Sequence, residues 1–296
     1  MVFTPSPYAT QTALQDLSDA DRALILRHTG PLDQIEGNDD GTSVFAIRIN
    51  GAWVLRLARS PDAPLARETR LLSAIAPALP VEMRHCLPLP ELVGDGWTLH
   101  RHLPGQPTGQ ADLAALTTAQ RARFLAEFGA LLTALHALPP TPEHPVAETP
   151  HAPDHWRGVL QEAETELFPL VSAMLARDLR AALVAMIETP LELDSAALLH
   201  DDLHTAHILH DPETGALTGL LDFGRSGRGD PAVDIAGLLY NWGSEAVAAL
   251  GYPNLANLLP RARRLARTYE VQWALEGLHR QDNRWFLYAL GAAKGF

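Results

Sequence analysis

The 296-residue chain contains one cysteine, Cys86, and one lysine, Lys294. A single cysteine excludes an intramolecular disulfide and a cysteine-rich zinc site. A single lysine, followed by Gly295 and Phe296, excludes a P-loop, which needs Gly-Lys-Ser/Thr. It also argues against Schiff-base chemistry on a lysine amine. Hydrophobic residues make up 47% of the chain, yet no apolar run reaches the length of a membrane span, so no transmembrane helix is expected. The opening "MVFTPSPYAT" has neither a basic n-region nor an apolar h-region, so no secretory signal is expected. Basic residues are outnumbered, 23 against 35 acidic, for a net charge of -12, which argues against a general nucleic-acid binder. These absences lead to the expectation of a cytoplasmic protein without a membrane or nucleic-acid partner. Its oligomeric state is not written in the sequence, and a monomer is the default.

The acidic excess is concentrated. Residues 141–194 hold ten Asp or Glu against three Arg. The segment reads either as a solvated helical face or as a surface that attracts a cationic ligand. Before it, Ser18 and "DADRALILRH" read as a capped helix. "SVFAIRI" and "WVLRLA" read as strands around an Asn50-Gly51 hairpin turn. The stretch Glu36 to Thr42 is turn-rich, "PLARETRLLSAIAPAL" reads as a helix stopped by Pro80, and "PELVGDGWTLHRHL" as one or two strands. After Pro107 the pattern changes. Phe124, Phe128, Leu131, Leu132 and Leu135 recur at helical spacing. Residues 157–188 read as two helices, followed by a short β island ("ALLHDD", "HILHD", "LTGLLDF"). Asp230-Pro231 then opens a helix in cap-then-proline order.

The stretch "LLHDDLHTAHILHD" (198–211) carries four histidines. His200, His204 and His207, spaced by four and three, would line one face of a helix and would suit a catalytic zinc there. The flanking apolar runs, near Pro212 and Gly215, read as strands instead, which would scatter these side chains. Twenty residues after Asp202 comes "LLDFGRSGRGDPAVDIA".

Paired at this distance, "HDDLHTAHIL" and "DFG…GDPAVD" resemble the aminoglycoside phosphotransferase family, which includes macrolide, choline and other small-molecule kinases. Members typically read "HGDLHPGNIL…IDFG…GDPAxDLA". Here Asp201 replaces the usual Gly, "TA" replaces "PG", and His207 stands where Asn is usual. The resemblance covers most of residues 30–290. It implies an α+β, bilobal, protein-kinase-like fold. A small β-rich nucleotide-binding lobe (1–103) would be joined by a hinge near 99–105 to a larger, mostly helical catalytic and acceptor lobe (106–296).

Phosphoryl transfer needs a carboxylate to orient and deprotonate the attacking hydroxyl, and Mg²⁺ to neutralise phosphate charge. The resemblance assigns the first task to Asp202 and the metal to Asp222, with His207 in the second ligand position. Histidine is a softer ligand than asparagine and unusual for Mg²⁺. His200 is expected to brace the loop, His204 and His210 to be packing or surface residues, Asp230 to cap a helix, and Asp234 to support the loop. In the absence of a strand lysine, Arg56 is expected at the phosphates, paired with Glu68. The segment "EGNDDGTSVF", ending in Ser43 and Val44 ahead of Phe45, takes the place of the phosphate-covering loop. "TLHRHLPG" resembles the hinge, with Arg101, His102 and Leu103 as the expected contacts to the base of ATP or GTP.

The implied activity is transfer of the γ-phosphate to a small-molecule hydroxyl. The acidic segment, Asp201, and the C-terminal Trp285 and Tyr288 suit a cationic acceptor of aminoglycoside or macrolide type. A metabolite such as a sugar, homoserine or a choline-like alcohol is the alternative within the class. A non-catalytic nucleotide-binding pseudokinase and a zinc-dependent hydrolase are the alternatives outside it.

Overall fold

The computed structural model describes residues 14–38, 43–139, 151–191 and 197–281. They fall into two units. One comprises Met1–Phe124 with Thr205–Arg225, and the other Leu125–His204 with Ser226–Phe296.

In the first unit, helix α1 (Asp19–Thr29) starts at Ser18, whose hydroxyl accepts the Asp21 N–H at 3.0 Å. Strands β1 (Ile35–Asn38), β2 (Val44–Ile49) and β3 (Trp53–Ala58) follow, then helices α2 (Leu65–Ile75) and α3 (Val81–Arg84). Strands β4 (Pro90–Gly94) and β5 (Trp97–Arg101) complete a five-stranded antiparallel sheet of order β1-β2-β3-β5-β4. Asn50 and Gly51 both take left-handed φ, 52° and 65°, as a primed hairpin turn requires. Successive strand residues face opposite ways. Odd-numbered Phe45, Ile47, Ile49, Trp53, Leu55, Trp97 and Leu99 form one buried cluster with Ile25 of α1. The even-numbered Val54, Arg56 and His100 therefore occupy the other face.

Two differences from the sequence reading stand out here. Ile35–Asn38 is a strand rather than part of a turn. Gly37 and Asn38 pair with Ile47 and Ala46, because tertiary pairing outweighs their weak β-propensity and covers the free edge of β2. The expected lobe boundary near 103–106 also does not coincide with the unit boundary. Strand β6 (Gln106–Pro107) pairs with β8 (Ile208–His210), and β8 with β9 (Leu217–Leu220). The Leu220 N–H further donates to the Cys86 carbonyl at 2.8 Å. These bonds tie 205–225 to the sheet-bearing unit, which also holds helix α4 (Gln110–Ala115).

The second unit takes up within helix α5 (Thr118–His136), whose Phe128, Leu131, Leu132 and Leu135 are all essentially fully buried. Helices α6 (Pro153–Glu162) and α7 (Ala173–Glu188) follow. Strand β7 (Ala197–Leu199) pairs with β10 (Gly227–Gly229), and helices α8 (Ala232–Ala248), α9 (Leu255–Ala266) and α10 (Tyr269–His279) complete the unit. The Asp230 carboxylate accepts the Ala232 N–H at 2.9 Å, capping α8, and forms an ion pair with Arg261 at 2.6 Å. No described helix is long and apolar enough to cross a membrane.

Two helical glycines test the packing. A Cβ on Gly129 of α5 would stand 2.0 Å from the Leu250 carbonyl oxygen, whereas one on Gly158 of α6 would meet nothing within 4 Å. Gly158→Ala is expected to stabilise by about 0.5–1 kcal/mol through helix propensity. Gly129→Ala is expected to lose about 1–3 kcal/mol from overpacking, despite the same propensity gain. Denaturant unfolding of the two variants checks the opposite signs.

Candidate active site

The even face of β3 and β5 walls a pocket in the first unit. Val54 and Arg56 come from β3, His100 from β5, and His102 and Leu103 from the segment after it. Leu209, Leu221 and Asp222 line it from the β8–β9 side. Arg56 is 8% exposed and Glu68, on α2, is 1% exposed. Arg56 Nη1 donates to Glu68 Oε1 at 2.7 Å. Burial alone would lower the arginine pKa, but the charge and hydrogen bond of Glu68, and the charge of Asp222, hold it above its ordinary value. Glu68 Oε1 also accepts the backbone N–H of Phe223 at 3.2 Å, and Arg67 donates to the Gly224 carbonyl. Helix α2 thus holds both the pocket arginine and the turn that carries Asp222.

Asp222 takes a left-handed φ of 63°. Its Oδ1 accepts the Gly224 N–H at 3.2 Å, closing a local turn. The Leu221 N–H donates to the His207 carbonyl at 2.8 Å and so continues the β8–β9 pairing. This brings His207 Nε2 to 3.8 Å from Asp222 Oδ2. Two ligands on one divalent ion, each at roughly 2.1 Å, stand about 3–4 Å apart. The pair therefore fits a shared ion, with one hard oxygen and one softer nitrogen donor.

In the second unit, Asp234 of α8 is 1% exposed and cradles the loop after β7. Its Oδ2 accepts the His200 N–H and its Oδ1 the Asp201 N–H, both at 2.8 Å. His136 Nε2 lies 2.9 Å from Oδ2, and its Nδ1 lies 2.6 Å from the Tyr252 hydroxyl. Burial pushes the Asp234 carboxyl up, but the bond and charge of His136, together with His200, hold it below the ordinary carboxylate range. Burial, with the charges of Asp234 and Asp230, pushes the Tyr252 phenol up to about 12. Asp202 follows this pinned backbone on a half-buried loop, where its carbonyl accepts the His204 N–H at 2.8 Å.

Asp201, Arg101, Ser43 and Val44 are not among the residues that line the pocket. Asp201, expected at the acceptor, takes φ 60°, and its carboxylate is only 6% exposed, 3.4 Å from His151 Nε2. Arg101 does not line the pocket. Its guanidinium lies 3.7 Å from the Trp53 ring centroid and bonds Glu91 on the sheet's other face. Ser43 and Val44 do not line it either. The Ser43 carbonyl accepts the Arg59 N–H, and Val44 pairs with Ala58. No helix spans 200–207, so His200, His204 and His207 do not share a helical face. His204 faces the Trp273 ring, and His210 is fully buried against Thr108 and Phe124. Trp285 and Tyr288 lie outside the described residues. The sequence reading missed His100 and Val54. Strand periodicity could have found them, since each is two residues from a site position already named, and the two are register partners.

A five-stranded antiparallel sheet carrying an Arg–Glu pair, with a largely helical second unit, defines the protein-kinase-like phosphotransferase fold. The model of the phosphotransferase enzyme family, APH, matches residues 34–279, and the chain belongs to that family. It is a phosphotransferase. Solved structures share the fold. The GDP and kanamycin complex of APH(2")-IIia has a TM-score of 0.76 at 22% identity, covering 92% of this chain and 97% of that one. The gentamicin complex of APH(2")-IIa has a TM-score of 0.68 at 14% identity, covering 93% and 95%. The apoenzyme of macrolide 2'-phosphotransferase MphH from Brachybacterium faecium has a TM-score of 0.63 at 23% identity, covering 96% and 97%. No curated protein matches the chain.

His100 makes a pH prediction. Burial lowers its pKa from 6.5 to about 4; the charges of Arg56 and His102 act the same way, and the Arg101 carbonyl opposes them. The unfolded chain takes up a proton near pH 6.5, and the folded one only near 4. Stability present above pH 6.5 is therefore lost as the pH falls through this window, by about 2 kcal/mol at pH 5. The melting temperature of the wild type is expected to fall more steeply from pH 7 to 5 than that of His100→Leu. Parallel curves would mean that His100 titrates normally.

Proposed function

We propose that this enzyme moves the γ-phosphate of ATP or GTP to a hydroxyl of a small cationic acceptor, of aminoglycoside or macrolide type, in a Mg²⁺-dependent reaction. The observation that carries the reading is the pocket of the first unit. It combines apolar walls (Val54, Leu103, Leu209) with an arginine and a carboxylate, Arg56 and Asp222. That set suits a base and a phosphate chain.

In this reading Arg56 meets the phosphates, with its fork fixed by Glu68. Asp222 and His207 hold Mg²⁺, which when bound neutralises charge on the phosphate oxygens. Asp202 orients the acceptor hydroxyl and takes its proton. The hydroxyl oxygen bonds to the γ-phosphorus, the bond to the bridging oxygen breaks, and the nucleoside diphosphate leaves. Asp234 acts one step back, as a positioning residue that pins the backbone ahead of Asp202. The acceptor class is supported by the related structures, whose names give kanamycin, gentamicin and macrolides. The acidic segment 141–194 supports a cationic acceptor. Trp285 and Tyr288 are proposed as its apolar contacts.

The test is phosphate transfer from ATP and GTP to a panel of kanamycin, gentamicin, a 14-membered macrolide, choline and homoserine. Asp202→Ala is expected to lower kcat by at least ~100-fold, the scale of a lost general base, with an unchanged melting temperature. Transfer that survives this substitution would remove Asp202 from its role. Transfer only to choline or homoserine would move the enzyme to the metabolite kinases. Absence of transfer to every compound, with nucleotide still bound, would favour a non-catalytic nucleotide-binding protein.

A further inference from the structure

The pocket contains a polar group to which the motifs give no role. His100 is 4% exposed, and its ring lines the pocket. Its Nδ1 lies 2.7 Å from the Arg101 carbonyl oxygen. A carbonyl only accepts, so Nδ1 carries the hydrogen. In the neutral imidazole the other nitrogen, Nε2, is then a pure acceptor. Burial keeps the ring neutral down to about pH 4. Nε2 has no partner among the described residues.

Neighbouring backbone groups sharpen the point. The His102 N–H already donates to the Ala52 carbonyl at 2.9 Å, and the Arg101 carbonyl is engaged by the His100 ring. The His102 N–H is therefore committed to the protein, and one lone pair of the Arg101 carbonyl is taken by the ring. The remaining wall is largely apolar, with Val54, Pro88, Leu103 and Leu209. An acceptor fixed by its own tautomer, set in an apolar wall, discriminates by sign. At position 6 an amino purine offers it a hydrogen, whereas an oxo purine offers only lone pairs there, its nearest hydrogen being on N1. Facing the oxo group, Nε2 would be desolvated without a bond, which costs more than the bond itself is worth.

We infer that His100 Nε2 accepts a hydrogen bond from the 6-amino group of the donor's base and makes this enzyme an ATP-selective, rather than GTP-using, phosphotransferase. The inference rests on the reading of the pocket as the donor site. His100 is here a specificity-determining residue, and the selectivity it gives is independent of which acceptor is used.

Calorimetric titration of the full chain with magnesium complexes of four triphosphates tests the inference without any acceptor. Against ATP, purine riboside triphosphate lacks only the amino group and is expected to bind roughly five-fold more weakly, the scale of one net hydrogen bond. ITP and GTP place an oxo group there and are expected to bind more than about ten-fold more weakly. His100→Leu is expected to bring ATP and purine riboside triphosphate to equal affinity and to narrow the ATP-to-GTP ratio. His100→Gln, whose amide can turn either its oxygen or its nitrogen to the base, is expected to bind ATP and GTP alike. GTP binding to the wild type as tightly as ATP would overturn the inference, as would a ratio unchanged in His100→Leu. The wild-type series stands even where a variant fails to fold, which melting curves would reveal. Failure of all four triphosphates to bind would instead overturn the donor-site reading beneath it.

Discussion

Arg56 cannot give up its charge, and the fold buries it. A guanidinium in that position requires a counter-charge held in place, and Glu68 is that group. Removing one partner of such a pair typically costs about 3–5 kcal/mol, because the other is left charged and dry. Glu68 does more than neutralise. The oxygen that accepts from Arg56 also accepts the Phe223 N–H, while its second oxygen is buried without a partner among the described residues. One carboxylate oxygen therefore fixes both a strand side chain and the turn bearing Asp222. The positions of Asp222 and, through the β8–β9 pairing, of His207 follow from that constraint.

The second unit repeats the device with the roles reversed. There the buried charge is the carboxylate of Asp234, and the groups that satisfy it are two backbone N–H donors and a histidine. This arrangement holds Asp201 at positive φ, a conformation that a non-glycine residue adopts at a cost and that persists where its surroundings enforce it. The family's usual glycine at this position would adopt that conformation freely. Here the strain is offset by the two hydrogen bonds to Asp234 and by the contact of the Asp201 side chain with His151. The same backbone that supports the loop thus sets the Asp201 carboxylate beside His151.

Much of the fold was legible because it is written locally. Ser18 as a helix cap, Asn50-Gly51 as a hairpin turn, and the helical stripe from Phe124 to Leu135 each depend on a few neighbouring residues, and each lies as read. Strand β1 was not legible, because Gly37 and Asn38 become strand only through pairing with β2. The family, too, was legible, because its two motifs keep their spacing. The pocket was half legible. Arg56 carries a motif and could be named, but His100 carries none, and its place beside Val54 comes from the register between β3 and β5. The direction of the Arg101 side chain has the same origin. Adjacent strand residues face opposite sides, so a hinge named as three consecutive residues must contain one that points away.

The sequence by itself determined the chemistry available: a single lysine, an arginine in its stead, aspartates spaced as in the phosphotransferases, and a histidine where the family has asparagine. These are matters of which atoms exist and in what order, and no fold can alter them. Only the tertiary structure decided which of those atoms face a ligand. Strand register turned His100 and His102 toward the pocket and Arg101 away from it. A hydrogen bond to the Arg101 carbonyl fixed the His100 tautomer. Burial kept that ring neutral. Direction, tautomer and ionisation depend on neighbours distant in sequence, and for that reason they became visible only when the chain was folded.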